Sequence, residues 1–434
     1  MGRRRGRWMA LLGLLAGAAG CGDDGERTTD GATAADTTSA TVDASSSATG
    51  TDGTAGSTSD PTSDPTSATT GDSATTDDSA TTDDSATTDD SATTDDPTEE
   101  LYRPPYDPSF TINLPIPEGA GADPRSDAIV AQLAQNLSEN KVAVASRGEV
   151  PGIYTVTADD PLYDVDAGEA LSGIQFRVPA DAQSGGGADD PITILDPMSG
   201  AFGPFTELRM WEVDVDHDAK TLTASAAGLF HYNNDGALLN PDMSPSLARP
   251  FMGWGTGSGL SYYAGLIHHR EVEQGVIPHA IRFAYSCAHS SDAFREPATK
   301  TDQPHPICGG NTNADADFAM DMGMRLQLDP SVDCDARTTP VPEGSDGALE
   351  TRFLRMFCHA LQDYGMIMLD GTGPGGLVIY MENELTADWA QHIGAEQWDS
   401  YSYIVRDQTT PDDGFVRGPS DGIPWSQLRV LAAE

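Results

Sequence analysis

The sequence predicts an α+β fold in which strands dominate, a β-sandwich or irregular barrel with flanking helices, preceded by a disordered N-terminal tether. Three observations carry that expectation. Past a short leader, the first hundred residues hold almost nothing apolar, so they cannot form a core. Beyond them, many short apolar stretches are punctuated by glycine and proline, of which the chain has 45 and 29, as strands joined by turns require. Only two stretches show the three-to-four-residue apolar spacing of a helix.

The leader MGRRRGRWMALLGLLAGAAGCG sets Arg3, Arg4, Arg5 and Arg7 before an apolar run from Trp8 to Ala19. That is the pattern of a secretory signal, and it is too short to span a membrane. Ala18, Ala19 and Gly20 ahead of Cys21 resemble the lipobox of bacterial lipoproteins, with Ala18 where that motif usually has leucine. The resemblance implies a signal peptide over 1–21 and lipidation of Cys21. With Gly22 rather than aspartate following, it also implies a lipid-anchored place in the outer membrane or at the surface of a Gram-negative cell envelope. Residues 22–100 are built from Thr, Ser, Ala, Asp, Gly and Pro, with four copies of SATTDD at 73–96 and 20 acidic residues against one basic, Arg27. Ordering such a segment costs entropy that no burial offsets, so it is expected to be a disordered tether. Self-repulsion should extend it past the roughly 50 Å of a neutral flexible coil of that length.

Residues 101–434 are expected to fold as one extracytoplasmic domain. They carry 48 acidic and 19 basic side chains, a formal charge of −29. Such a surface repels phosphate and anionic lipid, which excludes nucleic acid as a partner and leaves the lipid anchor as the only membrane contact. It attracts cations, so calcium is the one cofactor that the composition leaves open. Four cysteines follow Cys21, namely Cys287, Cys308, Cys334 and Cys358. In an exported chain they point to two disulfides, and the pairs Cys287–Cys308 and Cys334–Cys358 would each close a Pro/Gly/Asp-rich loop. No C-x-x-C spacing suggests zinc.

The first helix is expected at 126–141, where Ser126 or Asp127 can cap and Ile129, Val130, Leu133 and Leu137 share one face. The second is expected at 349–365, with Leu349, Phe353, Met356, Phe357, Ala360, Leu361 and Tyr364 along one stripe and Gly365 as the stop. After it, MIMLDG and LVIYMEN flank TGPGG and read as a hairpin. GIYTVTA, GIQFRVP, LRMWEVDV, TLTASAAGLFHY, HAIRFAYS and MRLQLDP read as further strands.

Chemistry concentrates in LIHHREVEQGVIPHAIRFA, residues 266–284. REVEQG reads as one helical turn stopped by Gly275, setting Glu271 and Glu273 on different sides. Alternation along the following strand turns Ile277, His279, Ile281 and Phe283 toward the interior and Ala280, Arg282 and Ala284 away from it. A half-buried His279 suits general acid or base work. His268 and His269, as neighbours in an extended chain, would face opposite ways, so no metal site is expected from this stretch. Upstream, glycines surround Trp254, Tyr262 and Tyr263, flat amphipathic rings of the kind that stack on sugars. DVDHDAKT places Asp214, Asp216 and Asp218 like the opening of a calcium loop, but Ala219 and Ser225 stand where that loop needs Gly and Glu, so a polar turn accounts for it. Asp315, Asp317 and Asp321 are equally ambiguous.

The run RPFMGWGTGSGLSYYAGLIHHREVEQGVIPHAIRFA, followed by EPATKTDQ, MGMRLQLDPSVD, ALQDYGMIMLDG and IPWSQLRVLA, resembles a family of secreted bacterial proteins. That family has the core GL(V/I)R-x-x-E-(V/I)-x-x-G-x-I-x-HA(L/I)RF, then MG-x-R-x-(R/Q)L and an ALx-x-YG-x-x-x-xD element. The chain departs at His269, where the family passes directly from its apolar pair into arginine. The resemblance implies an architecture and a set of positions, Glu271, Gly275, His279, Arg282, Arg325 and Asp370, and carries no reaction with it.

Two functions fit a displayed domain. One is an enzyme acting on a polysaccharide, its acidic surface favouring a neutral glycan. Hydrolysis would use Glu271 and Asp370 as the acid pair. Elimination would use His279 as base, with Arg282 or Arg325 neutralising a substrate carboxylate. The other is a noncatalytic glycan-binding or adhesion module, with Trp254, Tyr262 and Tyr263 as the platform. Convergence of Glu271, His279, Arg325 and Asp370 in one cleft would favour the enzyme.

Overall fold

The computed structural model describes residues 106–139, 142–167, 171–198, 200, 202–232, 238–239, 256–289, 294–301, 317–339, 347–372, 376–394, 402–405 and 422–433. The leader, the tether, Trp254, Cys308 and Asp315 lie outside them. Two mixed sheets make up most of the fold. The first has the order β1 (Val142–Ala145), β12 (Leu377–Tyr380), β9 (Ile281–Tyr285), β11 (Met366–Gly371), β10 (Arg325–Leu328) and β13 (Leu428–Val430). The second has the order β2 (Gly152–Thr155), β5 (Ile192–Asp196), β6 (Thr206–Asp216), β7 (Thr221–His231), β3 (Leu162–Asp166) and β4 (Ile174–Arg177), with β8 (Leu238–Leu239) paired to β7. The helices are α1 (Ser126–Glu139), α2 (His269–Gln274), α3 (Gly347–Asp363), α4 (Trp389–His392) and α5 (Ser402–Val405). The strand-dominated α+β expectation therefore holds.

Apolar patterning explains the layers. Ile129, Val130, Leu133 and Leu137 of α1 and Phe353, Met356, Phe357, Ala360 and Leu361 of α3 share one core with Ile281, Phe283 and Tyr285 of β9. Ala284 on the opposite face of β9, and Ala280 just before the strand, join a second core with Ile367, Leu369 and Tyr380 of the first sheet and Ile153 and Leu195 of the second. Central strands are thus covered on both faces. Arg282, expected to turn outward, is fully buried for that reason: alternation tells one face from the other, and here the other face meets the second sheet. Ser126 opens α1, and its Oγ accepts the Val430 N–H, tying β13 to the helix.

The expected β11–β12 hairpin does not form. Both strands pair with β9 instead, β11 parallel and β12 antiparallel, so β9 lies between them. Adjacency in sequence gave way to a strand able to satisfy both neighbours at once.

Cys334 is disulfide-bonded to Cys358 with Cα atoms 5.6 Å apart, which ties the segment after β10 to α3. Cys287 is also disulfide-bonded. The Cys334–Cys358 bond spans 24 residues, and closing a loop of that size in the unfolded chain is worth about 3 kcal/mol. The Cys334→Ala/Cys358→Ala variant is accordingly expected to lose about 3 kcal/mol in urea unfolding. Unfolding that matches the parent would show that the bond restrains nothing.

Candidate functional site

The HHREVEQG stretch folds as a short helix with both ends fixed. His268 is the N-cap of α2: its Nδ1 accepts the Arg270 N–H at 3.2 Å, while Glu271 Oε2 accepts the His268 N–H at 2.9 Å. This is a capping box with histidine in the usual Ser/Thr place. Gly275 ends the helix at φ 89°, a backbone region that L side chains rarely adopt. Arg352 Nη2 donates to the Val272 and Glu273 carbonyls at 2.7 and 2.8 Å and so covers the C-terminal end.

Glu271 and His279 form a closed pair inside the protein, each 1% exposed. His279 Nε2 lies 3.0 Å from Oε1 and 3.1 Å from Oε2 of Glu271, and Nδ1 lies 3.0 Å from the Ala280 carbonyl. Burial disfavours the imidazolium, but the Glu271 charge, its hydrogen bond and the Ala280 carbonyl together outweigh burial and raise the His279 pKa above its usual value. Both ring nitrogens are placed to donate, and neither is left to take a substrate proton.

Arg282 and Asp370 form a second closed group between the sheets. Arg282 Nη2 lies 3.3 Å from Asp370 Oδ2, and Nη1 donates to the Tyr262 carbonyl at 2.6 Å. Asp370 Oδ1 accepts the Gly257 N–H at 2.9 Å. The Arg209 and Arg282 guanidinium groups both lie over the Tyr262 ring, 4.2 and 4.6 Å from its centroid, and Arg282 lies 4.5 Å from that of Tyr380. Burial, with the Asp370 charge adding to it, pushes the Tyr262 hydroxyl up to about 12. Tyr262 and Tyr263 are both buried, so neither ring offers a face to a sugar. Tyr263 packs edge-on against Tyr106 and His268. Arg325 stands apart. Its Nε donates to the Tyr364 carbonyl at 2.6 Å and its Nη groups to Thr111 at 3.2 Å and Leu114 at 2.6 Å, which joins β10 to the N-terminal segment.

Sequence reasoning missed three polar groups. Glu207 of β6 is fully buried, accepting the Tyr106 hydroxyl at 2.8 Å and the Ser261 hydroxyl. Arg125 and Arg295 each reach both Asp123 and Asp321 in a four-membered ion-pair ring, which assigns Asp321 a structural partner set. Most distinctive is the third group. The rings of His268 and His269 converge on one oxygen of buried Glu382: His268 Nε2 lies 3.1 Å and His269 Nδ1 2.6 Å from Oε2. The expectation that the two imidazoles face opposite ways is overturned because they stand at the cap and first position of a helix, not in an extended chain. Burial, reinforced by His269 and Arg270, lowers the His268 pKa against the pull of Glu382 and Glu271. His392 of α4 stacks on His269 with ring centroids 5.8 Å apart.

Glu382 Oε1 accepts the Thr386 hydroxyl at 2.7 Å. Thr386 also lines an open, polar cleft of about 560 Å³ with Arg147, Glu384, Leu385 and Asp388. In DVDHDAKT, Asp216 Oδ1 accepts the Asp218 and Ala219 N–H groups at 2.9 and 2.8 Å, the self-contained geometry of a turn between β6 and β7. No family model, curated protein or solved structure matches the chain.

Proposed function

We propose that the chain is a lipid-anchored protein of the cell envelope whose folded domain is a noncatalytic binding module for a neutral glycan. One observation carries the choice of binding over catalysis. Glu271, His279, Arg282, Arg325 and Asp370, the side chains that hydrolysis or elimination would need, are held by protein partners in three separate networks. A general acid needs access to the glycosidic oxygen, and the Glu271–His279 pair is closed to it.

The cleft beside Thr386 is the favoured seat. Its volume, about 560 Å³, falls in the range of small-ligand sites. Arg147 and Glu384, paired at 2.6 Å, can donate to and accept from hydroxyls. The net negative charge supports a neutral rather than a uronic polymer. The Cys21 leader and the acidic tether support display away from a membrane, and the ordered motifs from GLIHHREVEQG to ALQDYGMIMLDG support kinship with the secreted family that they resemble.

The test is electrophoresis of the exported chain through gels holding neutral or uronic polysaccharides, beside assays for reducing ends and unsaturated products. Retardation by a neutral polymer is expected, with no product. Arg147→Ala should weaken it by about tenfold, the worth of one charged hydrogen bond. Release of either product would restore the enzymatic reading, and unretarded migration in every gel would end the glycan-binding one.

A further inference from the structure

We propose that His268, His269 and Glu382 bind a single transition-metal ion of the zinc class through two imidazole nitrogens and one carboxylate oxygen. The inference is independent of glycan binding. Among the described residues, these are the one group of three or more His, Cys, Asp or Glu side chains whose donor atoms converge, all within 4.8 Å of one another.

Distances decide whether an ion fits. Tetrahedral zinc with bonds of about 2.0–2.1 Å holds its ligand atoms roughly 3.3 Å apart. The two nitrogens now stand 3.1 and 2.6 Å from Glu382 Oε2. Opening those gaps by well under 1 Å would admit the ion. The donor set also selects the metal, since two imidazoles and one carboxylate suit zinc, cobalt or nickel, whereas calcium requires six to eight oxygens. This cation is therefore different from the one that the acidic composition alone would attract.

The backbone fixes this arrangement. Ile267 and Met381 form a parallel bridge, with the Ile267 N–H donating to Tyr380 at 3.2 Å and the Glu382 N–H donating to Ile267 at 2.9 Å. His268 and Glu382 follow those residues directly, so the bridge holds them side by side. Thr386 supports the second carboxylate oxygen, and the Trp389 indole donates to the Glu382 carbonyl at 2.7 Å. Such outer contacts orient ligands and strengthen binding. His269 keeps 23% of its side chain exposed, which gives an ion a route in.

The proton balance is internal. Without metal, His268 accepts the Arg270 N–H at Nδ1 and so carries its proton on Nε2, donating to Glu382. With metal, Nε2 gives its lone pair to the ion, the proton moves to Nδ1, and the Arg270 bond is lost. His269 moves its proton from Nδ1 to Nε2. No net proton is released, and binding exchanges the cap hydrogen bond from Arg270 and the two imidazole–Glu382 hydrogen bonds for three coordinate bonds.

The test uses the untagged chain, stripped with EDTA and dialysed, then titrated calorimetrically with zinc chloride and followed in the visible with cobalt chloride. Expected are one-to-one zinc binding that excess calcium chloride does not displace and the intense d–d absorption of tetrahedral cobalt. His269→Ala should weaken zinc binding on the order of 100-fold while leaving metal-free thermal unfolding near the parent's. His359→Ala, remote on α3 and paired with Asp335, should bind zinc as the parent does. Absence of one-to-one binding in the parent chain, or unchanged affinity in His269→Ala, would overturn the proposal. The cobalt spectrum of the parent decides the matter even where a variant fails to fold.

Discussion

Arg282→Met is expected to lower the unfolding free energy by about 3–5 kcal/mol, the range found when one partner of a buried ion pair is removed. Arg282 is fully buried between the two sheets. Its loss takes the guanidinium away from the Asp370 carboxylate, whose Oδ1 accepts the Gly257 and Gly371 N–H groups. It also removes the donor to the Tyr262 carbonyl and the cation that lies over Tyr262 and Tyr380. Methionine approximates the length and fills much of the space, so the deficit is mainly electrostatic rather than a cavity. Arg282→Lys should fall between the two, because an ammonium keeps the charge but not the flat stacking surface. The double variant Arg282→Met/Asp370→Leu should recover part of the loss, since removing both charges is milder than stranding one. Guanidinium unfolding of the four proteins checks this. A loss below about 1 kcal/mol in Arg282→Met would mean that the network contributes nothing net.

Why the role of Arg282 was not legible follows from what alternation encodes. HAIRFAYS has the period of a strand, and the strand exists as β9. Period alone cannot tell whether the second face meets water or another sheet, and in β9 all five residues are buried. The same limit hid β5, whose ITILD is buried at every position. Helices were easier to read, because α1 and α3 each bury one stripe and leave another in water, so Ile129 to Leu137 and Phe353 to Leu361 stand out in the sequence. The metal-type cluster was half visible. His268 and Glu271 have the spacing of a capping box, and reading it would have bent His268 and His269 onto one side. Glu382, by contrast, meets them only through the bridge of Ile267 to Met381, a contact across more than a hundred residues with no local signature.

The other large effect is on pH. Glu207→Gln is expected to stabilise the protein above neutrality relative to the parent, by about 3 kcal/mol more at pH 8 than at pH 4. Burial pushes the Glu207 carboxyl from 4.5 up to about 7, against the lowering influence of the Ser261 and Tyr106 hydroxyls and of Arg209 and Arg282. The folded protein therefore keeps this proton where the unfolded chain has released it. Below about 4.5 both states are protonated and Glu207 adds no pH dependence. As pH rises to about 7, the unfolded state gains from ionisation while the folded state does not, so stability falls; above 7 both are ionised and the loss stays constant. Glutamine holds no such proton, so its curve should lack this fall. His279, with its raised pKa, also makes stability fall as pH climbs through its folded value, whereas Asp123, with its lowered pKa, makes it fall as pH drops. Both groups are present in parent and variant, so the difference curve isolates Glu207. Urea unfolding at intervals from pH 4 to pH 8 supplies that curve. A flat difference would place the Glu207 pKa near its ordinary value and its carboxylate in contact with water, while a rise centred between 4.5 and 7 would mark a carboxyl that stays protonated between the sheets until neutrality.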